Sequence, residues 1–239
     1  MDPAQYVKDI LTRPTKRDKQ RTVGASQLGN ACTRCLADAM LNVPKGRSQF
    51  NMGAIVGTAV HEYLEHRNID PTAQKELKVE LGEIPGYGDI GSTTDLYLPR
   101  ERTIVDFKTL TRDKLKGFQD AVATKPSEYD TELVSRSRAT LEQYFRQAQL
   151  YAYGVERSGQ PVEQVAIVFI CRDGQIVDRD VWAPPTRPYD PDLAKSVMQR
   201  AKNLWVFLQS GGDINTLKQD EHCYYCNWVR PGVIDEVEL

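Results

Sequence analysis

The spacing of apolar residues divides the chain into helices and strands. Apolar residues recur at helical intervals in four segments, which predicts helices over 27–41, 52–66, 138–157 and 192–208. Runs rich in β-branched and aromatic residues predict strands over 75–81, 90–98, 103–109, 164–171 and 176–183. Ser26 is the expected N-cap of the first helix, whereas residues 112–135 are polar and show no clear period. Strands mixed with long helices predict an α/β fold.

The composition is that of a globular protein, and its overall charge does not indicate a nucleic-acid-binding protein. The 239 residues are 40% hydrophobic and 27% charged, and the formal net charge is −2. The charge is uneven, because six basic residues crowd the first 22 positions, namely Lys8, Arg13, Lys16, Arg17, Lys19 and Arg21. Such runs are most often solvated, but a local basic patch can bind phosphates in a protein that is acidic overall. We therefore expect a basic arm over 1–22.

The first thirty residues are polar and lack the apolar core of a secretory signal, and no run approaches the ~18 apolar residues of a membrane span. We therefore expect a cytoplasmic protein without a membrane partner, in a compartment where thiols stay reduced.

The segment T-I-V-D-F-K-T over 103–109 places two opposite charges in an otherwise apolar strand. Side chains at i and i+2 point to the same face of a strand, so Asp106 and Lys108 should stand side by side, with Phe107 opposite. An isolated pair of this kind usually lies on a solvent-exposed face of a strand and contributes little to stability. A functional interpretation needs further acids and a metal.

Four of the five cysteines form two C-x-x-C pairs, Cys32 with Cys35 and Cys223 with Cys226. Each pair can place two thiolates on one metal ion or cluster. A redox C-x-x-C explains one pair but not two, and small buried cysteines do not explain the spacing. Shared ligation, which would tie the two ends of the chain together, is the favoured interpretation; Cys171 is expected in the core.

Two further constellations lie on predicted helices. The helix over 52–66 carries His61 beside an apolar stripe made of Ile55, Ala59, Val60, Tyr63 and Leu64. His61 and His66 are five residues apart and diverge around the helix, so the string H-E-Y-L-E-H does not fit the H-E-x-x-H zinc-protease motif. Gln147 and Tyr151 are four apart and share one face of the helix over 138–157.

In order, these pieces resemble one family. The order S-x-L…C, G-x-x-x-H, Asp, D-x-K, Q-x-x-x-Y and C-x-x-C is similar to the RecB-like branch of the PD-(D/E)xK nucleases. Within that branch it resembles the iron–sulfur members, which are CRISPR-associated adaptation nucleases and related phage exonucleases. The resemblance runs from about Ser26 to Cys226. It implies a restriction-endonuclease-like core over 23–239, a mixed central sheet flanked by helices, with cluster-binding segments at 26–41 and 220–230.

The resemblance also implies roles for individual residues. His61, Asp95, Asp106 and the backbone carbonyl of Phe107 match the ligands of a Mn²⁺ or Mg²⁺ ion, and Lys108 matches the catalytic lysine. Gln147 and Tyr151 match the helix motif beside the nuclease site. The members of the family that the chain resembles often have one early and three late cysteines, whereas this chain has two and two. The expected group on Cys32, Cys35, Cys223 and Cys226 is an iron–sulfur cluster of the 4Fe–4S type, with zinc as the alternative.

The function implied by the resemblance is hydrolysis of DNA phosphodiester bonds, as an exonuclease on single-stranded ends with 5′→3′ polarity favoured. DNA with free ends is the expected partner, and the family allows protein partners in recombination or CRISPR adaptation. The chain contains no G-x-x-x-x-G-K-[ST] motif, so no P-loop motor is expected. The rival interpretation is a non-catalytic DNA-binding or adaptor module stabilised by zinc or an iron–sulfur cluster, and a metalloprotease is more distant.

Overall fold

The computed structural model describes residues 2–11, 22–43, 52–67, 69–127, 130–175, 179–223 and 226. Its helices are α1 (Pro3–Leu11), α2 (Ala25–Leu28), α3 (Thr33–Met40), α4 (Met52–Glu65), α5 (Arg112–Ala123), α6 (Glu132–Arg157) and α7 (Pro191–Gln209), followed by a 3₁₀ turn at Ile214–Thr216. Its strands are β1 (Gln74–Ile84), β2 (Gly88–Leu98), β3 (Thr103–Leu110), β4 (Gln164–Cys171), β5 (Val181–Trp182) and β6 (Arg187–Pro188).

Within the described residues the strands form one mixed sheet. The strand order is β1-β2-β3-β4-β5, and β6 also pairs with β4. β1, β2 and β3 are antiparallel neighbours, so the predicted hairpin around 99–102 is present. β3 and β4 run parallel along their whole length, from Thr103 opposite Gln164 to Leu110 opposite Cys171. The predicted α/β fold with a mixed sheet flanked by helices is therefore confirmed.

The connection between β3 and β4 contains two helices that pack against this pair of strands. α5 follows β3 directly and buries Leu115 and Phe118, and α6 returns the chain to the start of β4. This long crossover is what a parallel pair of strands requires. The segment over 112–135, which has no clear period in the sequence, is therefore mostly helical.

α6 is the central helix of the core. It packs against β1, β3, β4, α5 and α7, and its buried residues include Phe145, Leu150 and Val155. A Cβ atom added at Gly154 would lie 2.7 Å from Val79 Cβ, which shows how closely this helix approaches the sheet. Side chains that α6 directs at β3 are thus held by the core itself.

The single helix predicted over 27–41 is wrong, because the structure has two short helices there. α2 ends at Leu28, and Cys32 is extended, with φ −71° and ψ 105°. Asn30 Oδ1 accepts a hydrogen bond from the Cys32 N–H at 2.9 Å, which replaces a helical bond and turns the chain. The predicted N-cap at Ser26 is also wrong, since Gly24 holds that position and its N–H donates to Gln27 Oε1.

The remaining differences concern the chain ends and α4. No residue of α4 is buried, although the structure describes all of them, and Tyr63 of its apolar stripe is 58% exposed. α1 lies within the expected basic arm, but residues 12–21 fall outside the described residues. The division into an arm over 1–22 and a domain over 23–239 therefore stays a prediction. Among the described helices, none combines the length and apolarity needed to cross a membrane.

Candidate active site and cysteine site

Asp106 and Lys108 lie side by side on β3, on the face that the alternation of the strand predicts. Asp106 is fully buried, and Lys108 Nζ lies 2.9 Å from its Oδ1 and 2.7 Å from its Oδ2. Oδ2 is buried and accepts no hydrogen bond of good geometry, so its contact with the ammonium is an ion pair alone. A buried oxygen in this state is available to a cation.

The environment shifts the pKa values of both groups. Burial raises the pKa of Asp106 to about 6, although the Lys108 ammonium opposes the rise. Burial alone would lower the pKa of Lys108, but the neighbouring Asp106 carboxylate outweighs it and raises this pKa above its usual value. Lys108 therefore carries its positive charge at neutral pH.

Helix α6 supplies two polar side chains to the same place. Gln147 Nε2 donates to Asp106 Oδ1 at 3.2 Å and lies 2.6 Å from Tyr151 Oη. Gln147 and Tyr151 are each 6% exposed, and burial raises the pKa of Tyr151, so its phenol stays protonated. The sequence did not single out Tyr144, one turn earlier, whose ring centroid lies 5.0 Å from Lys108 Nζ. Its spacing of three residues from Gln147 is the signal that could have found it.

Asp95 reaches this region from the neighbouring strand. The β2–β3 ladder ends at Leu96 opposite Val105, one residue before Asp95 and Asp106. Asp95 Oδ2 accepts the Phe107 N–H at 2.7 Å, so the carboxylate satisfies a backbone donor of β3 where the ladder has ended. This bond fixes the Asp95 carboxylate against β3. A ligand role for the Phe107 carbonyl stays a prediction.

His61 approaches from α4. Its Nδ1 lies 3.3 Å from Asp95 Oδ1, and its ring meets the Phe107 ring edge-on at 6.1 Å between centroids. The contact with Asp95 raises the pKa of His61 above its ordinary value, against the effect of burial. The structure thus brings His61 and Asp95 together.

Glu76 of β1 is a further acid at this place that the sequence did not reveal. Ligand atoms of His61, Glu76 and Asp95 lie within 4.8 Å of one another, and Asp106 falls outside this group. Glu76 has a left-handed backbone, with φ 47°, and sits between the pairs Lys75–Leu96 and Leu77–Thr94. It therefore lies across the ladder from Asp95. The register of β1 against β2 places Glu76 opposite Asp95, but the register of two strands cannot be predicted from a single sequence.

The donor set of this region fits a divalent cation. It offers one imidazole and carboxylates from three strands, among them the buried Asp106 Oδ2, which has no hydrogen bond. Carboxylate oxygens suit Mg²⁺ and Mn²⁺, and an imidazole favours Mn²⁺ over Mg²⁺.

The four paired cysteines meet at a second place. Cys35 Sγ lies 3.3 Å from both Cys223 Sγ and Cys226 Sγ, and Cys32 Sγ lies 3.5 Å from Cys226 Sγ. All four sulfur atoms fall within 4.8 Å of one another, and none is in a disulfide. The predicted meeting of the N- and C-terminal segments is confirmed, and four thiols at this spacing fit an iron–sulfur cluster or a zinc ion.

Comparisons with known proteins agree with the fold. No protein-family model matches this chain, and no curated protein matches its sequence. An alkaline exonuclease from Laribacter hongkongensis superposes with a TM-score of 0.50 and 13% identity, over 82% of this chain and 90% of that one. The same enzyme in complex with dAMP gives 0.49 and 14%, over 82% and 90%. A phage-related exonuclease from Haemophilus somnus 129PT gives 0.48 and 16%, over 86% of this chain and 93% of that one. The likeness to the alkaline exonuclease shows that the chain has this fold, which confirms the resemblance expected from the sequence.

Proposed function

We propose that this protein is a metal-dependent DNA nuclease that hydrolyses phosphodiester bonds. The observation that carries the proposal is the ion pair between the fully buried Asp106 carboxylate and Lys108, whose side chain is 19% exposed, beside a group of side chains that could hold a metal ion. A surface pair would not need a completely buried carboxylate, because burying a charge is costly. The fold shared with an alkaline exonuclease supports the same reaction class.

Each residue of the site has a task in this reaction. The Lys108 ammonium, held against Asp106, neutralises the negative charge that develops on a phosphate oxygen and orients the attacking water. Gln147 fixes the Asp106 carboxylate by its hydrogen bond, and Tyr151 fixes Gln147. The aromatic ring of Tyr144 limits where Lys108 can point.

Mn²⁺ or Mg²⁺ would be held by His61, Asp95 and Asp106, with Glu76 as a further carboxylate. When bound, such an ion lowers the pKa of a coordinated water and stabilises charge on the phosphate. Glu76→Gln tests the added ligand, because it keeps the shape and removes the charge. We expect weaker Mn²⁺ binding and an unchanged melting temperature; binding equal to wild type would exclude Glu76 from the ion.

Lys108→Met is the test of the active site. It keeps the aliphatic stem and removes the ammonium, so we expect cleavage of labelled DNA in Mn²⁺ to fall by at least about a hundredfold. Lys195→Met is the matched control, because Lys195 is 59% exposed and pairs with Asp192 on the surface of α7. EDTA should abolish cleavage by the wild type. Undiminished cleavage by Lys108→Met would place the chemistry elsewhere.

We further propose that the enzyme is an exonuclease that prefers single-stranded ends and degrades 5′→3′. The sequence resemblance and the exonuclease fold support this choice. The alternatives are separated by assays on linear single strands labelled at either end, on linear duplex and on circular single strands. We expect the 5′ label to appear first in mononucleotides or short products, and we expect circular strands to stay intact. Cleavage of circles would show an endonuclease. DNA binding without cleavage would favour the non-catalytic adaptor module.

For the cysteine site we propose an iron–sulfur cluster of the 4Fe–4S type. A single zinc ion holds its thiolates about 3.8 Å apart, whereas the four thiolates of a cubane sit on four different irons and stand farther apart. The Sγ contacts described above are 3.3–3.5 Å long, which is nearer to the spacing on one zinc ion and makes zinc the alternative. The choice of an iron–sulfur cluster rests on the resemblance of the sequence to the iron–sulfur nucleases. Anaerobically purified protein should be brown and contain about four irons per chain. Colourless protein with one zinc would replace the cluster by a zinc clamp.

A further inference from the structure

The loop between α2 and α3 connects the two sites. It leaves α2 at Gly29 and reaches Cys32 three residues later. Two arginines donate hydrogen bonds to backbone carbonyl oxygens at this loop. Arg146 Nε donates to Gly29 O at 2.9 Å. Arg200 donates to Leu28 O at 2.7 Å and to Asn30 O. Arg200 also contacts Ala31 O at 3.4 Å. The backbone that leads to the first thiolate is therefore held by α6 and α7 together.

Gly29 lies directly against the backbone of α6 at Gln147. A Cβ atom added there would lie 3.0 Å from Gln147 N and 3.1 Å from Gln143 O. Gly29 has φ −67°, which any residue adopts, so glycine is needed at this position for space alone. Gln147, one of the α6 residues that touch the cysteine loop, is thus also the residue whose amide holds Asp106.

We propose that the cysteine site positions Gln147 through Gly29 and Arg146, so that its occupancy sets the geometry of Asp106 and Lys108. This inference rests on the proposed nuclease function. It goes beyond a clamp that merely ties the chain ends, because it makes Gly29 and Arg146 positioning residues for the reaction. The path is short: Cys32, the loop over 29–31, the α6 backbone at Gln147, then Asp106.

Gly29→Ala tests the contact directly. The added methyl group must displace α6 at Gln147 or the loop itself, and misplacement of a catalytic group by about 1 Å can cost up to about a hundredfold in rate. We expect kcat to fall at least about tenfold with KM for DNA and the metal content of the cysteine site unchanged. Gly91→Ala is the matched control, since a Cβ there would meet nothing nearer than Val79 O at 3.9 Å.

Three outcomes of the kinetic experiments would overturn the inference. Wild-type kcat in Gly29→Ala would show that the contact does not matter. A loss of activity that only follows the loss of folded protein or of cysteine-bound metal would reduce the contact to a structural one. If Gly29→Ala does not fold, Arg146→Met replaces it, because it removes the bond to Gly29 O without adding bulk, and wild-type kcat in that variant would likewise refute the path.

Hydrogen exchange supplies a readout that is independent of DNA cleavage. Cys223→Ser should remove the metal or cluster, and we expect amide exchange to rise in the segment 143–151 and to stay unchanged in β2, over 88–98. Unchanged exchange over 143–151 in metal-free protein would refute the coupling. If the wild type itself cleaves no DNA, the nuclease proposal fails, while this exchange experiment still decides whether the two sites are coupled.

Discussion

Helices α6 and α4 both contribute to the candidate active site, but they are attached to the protein in different ways. α6 has eleven buried residues, and Gln147 and Tyr151 project from it onto β3. α4 has no buried residue, and its main packing partner among the described elements is β3, where a Cβ atom added at Gly57 would lie 3.0 Å from Thr109 Oγ1. The side of the site that holds Asp106 and Lys108 is therefore fixed by packing, whereas the side that carries His61 can adjust.

The difference in packing between α6 and α4 suits the different roles of Lys108 and His61. Charge stabilisation by Lys108 gains most from a rigid, preorganised environment. A metal ligand on a lightly packed helix can adapt to the ion and to a DNA strand that enters and leaves. The four predictions that follow test this contrast, starting with the largest effect.

Leu150→Ala and Leu64→Ala compare the same truncation on the two helices. Leu150 of α6 is fully buried, so its loss should lower the free energy of unfolding by about 2–5 kcal/mol. Leu64 of α4 is only partly buried, and we expect a loss of about 1 kcal/mol or less. Urea unfolding of the two variants measures both values. Equal losses would show that α4 is as firmly packed as α6.

His61→Ala should separate metal binding from stability. Loss of a group that only supports a metal ligand commonly costs about 10–100-fold in affinity, so loss of a ligand should cost at least as much. We expect Mn²⁺ binding to weaken by at least about tenfold while the melting temperature of metal-free protein changes little. A melting temperature that falls with the affinity would contradict the picture of α4 as an adjustable helix.

Mn²⁺ affinity should rise with pH. The pKa of Asp106, raised to about 6, and the raised pKa of His61 leave both groups holding protons in mildly acidic solution, and both must lose them to bind a metal. Below pH 6 the affinity should fall about tenfold per pH unit for Asp106 alone. In His61→Ala the dependence should become shallower above pH 6. Affinity that does not change between pH 5 and pH 8 would rule out both groups as ligands.

Lys75→Met should give the smallest effect. Lys75 Nζ donates to Leu64 O at 2.8 Å and also reaches the oxygens of Glu65 and Arg67, so it holds the C-terminal end of α4. A cation at a helix C-terminus stabilises the helix by about 0.3–1 kcal/mol. If this energy holds α4, and with it His61, in place, its loss should weaken Mn²⁺ binding by about two- to fivefold. Lys78→Met on the same strand is the control. An effect on overall stability larger than on affinity would contradict this assignment.

Most of the residues at the centre of the candidate active site could be predicted from the sequence. The shared face of Asp106 and Lys108 follows from the two-residue period of a strand, and the shared face of Gln147 and Tyr151 follows from the helical period. Two C-x-x-C pairs also predicted that the chain ends meet, because thiolates at that spacing rarely act alone. These inferences depend on local geometry that a few neighbouring residues fix.

What the sequence did not reveal depends on contacts between distant residues. Glu76 faces Asp95 only through the register of two strands and a left-handed backbone. The helix break before Cys32 depends on Asn30 and on two arginines from other helices. α5 buries a narrow stripe of Leu115, Phe118 and Ala121 among charged neighbours, and that stripe is too thin to stand out from a polar segment.

The meeting of Cys32 with Cys226 also has a consequence for synthesis. Their sulfur atoms touch across 194 positions of the chain. At roughly 5–20 residues per second, a ribosome needs on the order of 10–40 s to travel that distance. During this interval the early thiols wait without their partners, exposed to oxidants and to other metals. Assembly of the four-cysteine site therefore reports that translation has passed residue 226, and a chain that stops earlier lacks the late thiols that would close it.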